Sequence, residues 1–188
     1  QDITERKAAE TRIGYLASHD RLTKLPNRDL FYDRLSQAIL RANRRREQLA
    51  LLFLDLDGFK AVNDYYGHKA GDNLLVSTAR RLEQCVRQVD TVARLGGDEF
   101  AVILSDIHGQ GDAARLASLI IDRLAEDVRV GQGRTCHVGV SIGIAMFPDN
   151  GFEMDRLMQA ADDAMYQSKS RGRNTSTFSG MNLHAAGA

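Results

Sequence analysis

Gly96-Gly97-Asp98-Glu99 sits between two apolar runs, Thr91-Val92-Ala93 before it and Ala101-Val102-Ile103-Leu104 after it. β-Branched and aliphatic runs on either side of a Gly pair predict two antiparallel strands joined by a tight hairpin, whose turn positions demand φ > 0. That pairing limits the chain to folds with an antiparallel sheet. Two carboxylates at once at the tip are costly unless something positive is held there. Alone, the tetrad would be a plain turn with solvated acids. A second acidic turn changes the balance: Leu51-Leu52-Phe53-Leu54-Asp55-Leu56-Asp57 is an apolar run ending in Asp-x-Asp, followed by Gly58-Phe59-Lys60. Carboxylates at a strand end beside an acidic hairpin are the hard oxygen ligands that Mg²⁺ prefers, completed by substrate phosphates.

Periodicity supplies the remaining elements. Phe31, Leu35, Ala38, Ile39 and Ala42 mark one face of a helix that starts at Pro26-Asn27 and ends in the basic run Arg44-Arg45-Arg46. Leu49 to Leu54 reads as a central strand. A short helix through Ala61-Val62-Asn63-Asp64 follows, then a turn at Tyr65-Tyr66-Gly67-His68. Leu74, Leu75, Thr78, Ala79, Leu82, Cys85 and Val86 predict a strong amphipathic helix, and Asp112 to Val128 another. Gly131-Gln132-Gly133 is a turn. Val138 to Met146 alternates bulky residues with Gly139, Ser141, Gly143 and Ala145, a strand whose bare face admits a close neighbour. Gly139-Val140-Ser141-Ile142-Gly143 matches a hydrolase pattern, but that motif needs a strand-turn-helix context and the strand here runs through it. A last helix from about Glu153 to Ser170 and a short strand at Thr175 to Phe178 close the list. The central βαββαβ order predicts an α+β, ferredoxin-like fold with a mainly antiparallel sheet and helices on one side.

Three motifs in order resemble the GGDEF family of diguanylate cyclases: Arg94-Leu95-Gly96-Gly97-Asp98-Glu99-Phe100, Asp55 to Asp64, and Gly67-His68-Lys69-Ala70-Gly71-Asp72. The resemblance runs from about Ser18 to about Gly180. It implies the cyclase-palm form of that fold, and condensation of two GTP into cyclic di-GMP with release of pyrophosphate. It implies Mg²⁺ (or Mn²⁺) on Asp55, Asp98 and the Leu56 carbonyl, with Glu99 assisting a second metal or the nucleophile. Lys60, Lys169 and Arg173 match triphosphate contacts, Lys60 being grouped with Asp98 and Glu99 as catalytic. Asn63 and Asp72 match guanine contacts, with Phe59 beside them. Arg87-Gln88-Val89-Asp90 matches an inhibitory product site, set against a structural i,i+3 ion pair. His19 to Arg28 resembles the family's entry motif, where Gly is usual at the position of Lys24. Each such domain holds one GTP, so the resemblance implies a transient homodimer. A non-catalytic GTP or cyclic di-GMP receptor is the alternative.

The resemblance divides the chain into a linker helix over 1–18, as after a PAS sensor, the GGDEF domain over 19–180, and a tail over 181–188 resembling the link to an EAL phosphodiesterase domain. Lys+Arg and Asp+Glu balance at 25 each, which argues against a nucleic-acid footprint over the whole surface. Cys85 and Cys136 lack metal spacing and suit buried thiols in a reducing compartment. No stretch approaches the ~20 apolar residues of a membrane span. A cytoplasmic domain without membrane contact is expected, whatever anchors its parent.

Overall fold

The computed structural model describes residue 15 and residues 17–180. The expected linker helix therefore lies outside the described residues, apart from helical Tyr15, Ala17 and Ser18, as does the tail after Gly180. In chain order the elements are α1 (Arg28–Arg45), β1 (Gln48–Asp57), α2 (Phe59–Tyr66), α3 (His68–Cys85), β2 (Thr91–Gly96), β3 (Glu99–Ile107), α4 (Gln110–Leu124), β4 (Val128–Gly131), β5 (Arg134–Cys136), β6 (Gly139–Phe147), α5 (Met154–Ser170) and β7 (Thr175–Phe178). Five strands form one sheet in the order β2-β3-β1-β6-β7. Its pairings are antiparallel except β6 with β7.

The helices cover both faces of this sheet, not one as the element order suggested. β1 shows why. Its even positions, Leu52, Leu54 and Leu56, pack with Leu74 and Leu82 of α3 and Ile120 of α4. Its odd positions, Leu49, Leu51 and Phe53, pack with Phe31 and Leu35 of α1 and Leu157 of α5. Successive side chains leave a strand on opposite faces, so an unbroken apolar run needs a layer on each side. Each large side chain buried there contributes about 1.5–3 kcal/mol.

Local chemistry sets the ends of elements. Asn27 caps α1, its side chain accepting from the Leu30 N–H at 3.1 Å. Tyr65 and Tyr66 complete α2 and Gly67 alone breaks the chain, so the turn expected over Tyr65 to His68 shrinks to one residue with φ 88°. The helix expected to reach Val128 stops at Leu124. Val128 and Val130 instead point inward from a separate β4–β5 hairpin. Gly143 does admit a close neighbour: a Cβ there would lie 2.0 Å from the Ala161 carbonyl oxygen of α5. Among the described residues no helix is long and apolar enough to cross a membrane.

Candidate active site

The face rule that builds the core also aims the acids. Asp55 and Asp57 continue the odd positions of β1, so both look toward the layer that contains α5. Lys169, near the end of α5, puts its Nζ 2.9 Å from Asp55 Oδ2, with Asp55 only 15% exposed. On the other edge of β1, Asp55 stands opposite Glu99 of β3, and the Leu56 N–H donates to the Asp98 carbonyl at 3.3 Å. The strand end and the hairpin tip are thus locked together. Gly96 and Gly97 both take positive φ, 145° and 52°, as the turn demands.

Asp98 is half-buried rather than fully exposed. Burial, and then the Asp55 charge beside it, push its carboxyl above the ordinary carboxylate value; its backbone and the Lys169 and Arg94 cations oppose this. A half-buried pair of acids with a charge surplus suits a divalent cation. Asp55 and Asp98 offer the carboxylates, and the Leu56 carbonyl would be the third donor. Among the described residues no three acidic, His or Cys side chains converge, so phosphate and water oxygens would complete the shell.

The expected substrate residues lie around this point. Gly58 caps α2 with φ 79° and without a side-chain hydrogen bond, which leaves the first N–H groups of α2 unclaimed by a cap, with Lys60 exposed among them. Gly71 of α3 makes room for Asn63 and Phe59: a Cβ there would sit 1.9 Å from Asn63 Oδ1 and 3.2 Å from Phe59 Cζ. Asp72 follows, exposed on α3. Arg173 stands beyond the end of α5 with φ 66°.

The structure also recruits residues that spacing could not link. Arg94 donates to the Gly97 carbonyl from Nε at 3.0 Å and to both Asp20 oxygens at 3.1 Å. Arg28 donates to the Leu95 carbonyl at 3.2 Å. Together they clamp the hairpin to the entry loop. Burial raises the Asp20 carboxyl, but the Thr23 and Arg94 hydrogen bonds outweigh it and hold the group below its usual value. Lys24 takes φ 66°, the left-handed conformation that a Gly would supply without strain, and its Nζ donates to the Arg21 carbonyl at 2.7 Å.

Arg87 and Asp90 lie apart from this cluster, at the opposite end of β2 from the hairpin turn, roughly 20 Å away at the rise of a strand. The Asp90 side chain is fully buried. It accepts from the Arg87 backbone N–H at 2.9 Å, from Arg87 Nε and Nη2 at 3.2 Å, and from the Ser105 N–H at 3.1 Å. Arg87 remains 54% exposed. A cleft of about 380 Å³ opens beside the pair, lined also by His108, Arg115 and Leu119.

Residues 17–175 match the family described as "Diguanylate cyclase, GGDEF domain". The chain is 48% identical over 179 residues to the bifunctional diguanylate cyclase/cyclic di-GMP phosphodiesterase MucR of Pseudomonas aeruginosa, covering 94% of this chain and 26% of MucR. It is similar to the solved GGDEF domain of TpbB (YfiN) from the same species, with 45% identity, a TM-score of 0.85, and coverage of 87% of this chain and 95% of that one. The coiled coil and GGDEF domain of DgcB from Caulobacter crescentus, solved with c-di-GMP, superposes with a TM-score of 0.86 at 27% identity, covering 94% of this chain and 93% of that one. The chain spans 26% to 39% of the length of the curated relatives MucR and TpbB. With its acidic hairpin, Asp-x-Asp strand end and entry loop in one clamped unit, the chain belongs to the GGDEF family, the diguanylate cyclase GGDEF domains.

Proposed function

We propose that this chain is a catalytic domain that condenses two GTP into cyclic di-GMP. The observation that carries the reading is the charge surplus at Asp55 and Asp98, half-buried at a strand end and answered on the protein side by Lys169. When bound there, Mg²⁺ or Mn²⁺ neutralises charge that develops on the phosphoryl oxygens. The protein's part is positioning. The N–H groups at the start of α2, with Lys60, Lys169 and Arg173, hold the triphosphate. Asn63 and Asp72 take the guanine edge, Asp72 accepting from N1–H and N2–H₂, which adenine does not offer, with Phe59 against the base. Glu99, opposite Asp55, assists a second metal or the nucleophile. The 3′-hydroxyl of one GTP gives its proton up to solvent as its oxygen bonds to the α-phosphorus of the other, and the bond to the bridging oxygen breaks so that pyrophosphate leaves. The same exchange in the other direction closes the ring. One domain supplies one such site, so two copies must face each other as a transient dimer.

The same reading gives Arg87 and Asp90 a role in product inhibition. The exposed guanidinium edge meets phosphate or guanine from the adjoining cleft, while Asp90 holds it in place. The decisive experiment is incubation of the chain with GTP and Mg²⁺, products being resolved by chromatography. Cyclic di-GMP and pyrophosphate should form, with a rate per molecule that rises with protein concentration. GTP bound but unturned at high concentration would replace this reading with the receptor alternative.

A further inference from the structure

Asp57 is the second acid of the Asp-x-Asp strand end, and the proposed mechanism leaves it without work. Its surroundings are specific. Oδ1 accepts from the Ser141 hydroxyl at 2.7 Å, and Oδ2 accepts from the backbone N–H of Asn174 at 2.8 Å. The Asn174 side-chain oxygen in turn accepts from the Val140 N–H at 3.4 Å. Asn174 and its neighbour Arg173 both hold left-handed φ, 46° and 66°, a conformation that Asn tolerates and that is costly to Arg173. Gly139 leaves room for the corner to close: a Cβ there would stand 3.0 Å from Asn174 and from Asp57 Oδ2. The Arg173 N–H donates to Ser168, whose hydroxyl donates to Ile142 of β6 at 2.7 Å.

We propose that Asp57 is the positioning residue for Arg173, holding the corner after α5 so that this guanidinium reaches the triphosphate. The two aspartates of β1 divide the task. Asp55 takes the Lys169 ammonium directly, and Asp57 takes the backbone that carries the second cation. Two donors arrive, one at each oxygen. An Asn could keep both contacts, its oxygen on the Asn174 N–H and its NH₂ on the Ser141 hydroxyl, which also accepts, so the anchor is removed by Ala. The proposal rests on the reading of Arg173 as a phosphate contact.

The test measures binding of 3′-deoxy-GTP, which cannot be cyclised, with Mg²⁺ by calorimetry, on the full chain and on Arg173→Ala, Asp57→Ala and the double variant. Arg173→Ala should weaken binding about tenfold or more, the loss of one charged hydrogen bond. Asp57→Ala should weaken it several-fold, and the double variant should bind no worse than Arg173→Ala alone. Ser141→Ala, which leaves the Asn174 anchor in place, should bind close to the parent. Independent multiplication of the two losses would overturn the positioning role and leave the phosphate reading intact. An Arg173→Ala variant that binds like the parent would overturn the phosphate reading, and this inference with it. If Asp57→Ala does not fold, Gly139→Ala replaces it in the same cycle. Its methyl would crowd both Asn174 and Asp57 Oδ2 at 3.0 Å and so pushes the corner off the strand while the carboxylate stays in the chain, and the same two outcomes decide.

Discussion

Two acidic sites lie at opposite ends of the β2–β3 hairpin and follow opposite rules. At Asp90 every lone pair is claimed: two backbone N–H groups and one guanidinium converge on a carboxylate with no exposure. At the hairpin tip, burial pushes the Asp98 carboxyl up, and the Asp55 charge beside it pushes the same way. An acid that holds structure has its donors in place. An acid left in surplus is open to a cation, and the fold carries the cost of that surplus.

Asp98→Asn should break the comparison hardest. Synthesis should fall about a thousandfold or more, several kcal/mol of transition-state stabilisation. Stability should move the other way. A carboxyl with a raised folded value favours the native state while protonated, and that contribution is lost as pH rises from the ordinary value through the raised one. At neutral pH the charge is a burden, so the variant should melt at or above the parent without metal, and the gap should close toward pH 3. A melting series across pH checks this; a clear loss at pH 7 would mean that Asp98 is as structural as Asp90.

Asp90→Ala is the mirror experiment. It strands the Arg87 and Ser105 N–H groups and should cost about 3 kcal/mol in urea unfolding, since each unsatisfied buried donor costs about 1–3 kcal/mol. Synthesis per folded molecule should persist. Arg87→Ala sharpens the distinction, because it removes an exposed partner. Two of the four hydrogen bonds to the buried Asp90 carboxylate are then unmade, so stability should fall by about 1–3 kcal/mol, while a progress curve with added cyclic di-GMP should lose its inhibition. Inhibition equal to that of the parent would reduce the pair to a strut between β2 and β3. The smallest effect falls on the side of the hairpin tip. Lys24→Gly relieves a left-handed Lys in the loop that holds Arg94, and should stabilise by about 0.5–1 kcal/mol. A loss in urea midpoint would give the Nζ bond to Arg21 more weight than the backbone.

The acidic centre was legible because its parts announce themselves locally: a Gly pair between β-branched runs, and an apolar run that ends in acids. Lys24 was legible as a departure, and its φ supplies the physical meaning. The two-sided sheet was also written in the sequence, in the unbroken run Leu49 to Leu54, where alternation would have marked a single covered face. The β4–β5 hairpin was hidden because Val128 and Val130 are too few to separate a short strand from the frayed end of α4. The Asp20–Arg94 and Asp57–Asn174 contacts had no local signal at all. Their partners stand 74 and 117 residues apart, and only the folded sheet brings them together.

Gly143 shows how far a missing methyl can reach. It faces Phe53 of β1 across the sheet, and α5 rests on it at the Ala161 carbonyl and the Met165 amide. Lys169 lies one helical turn beyond Met165, and its reach to Asp55 starts from that contact. The bare backbone of β6 therefore acts as a gauge block: it sets the height at which the helix lies and, through that height, where the ammonium meets the Asp55 carboxylate.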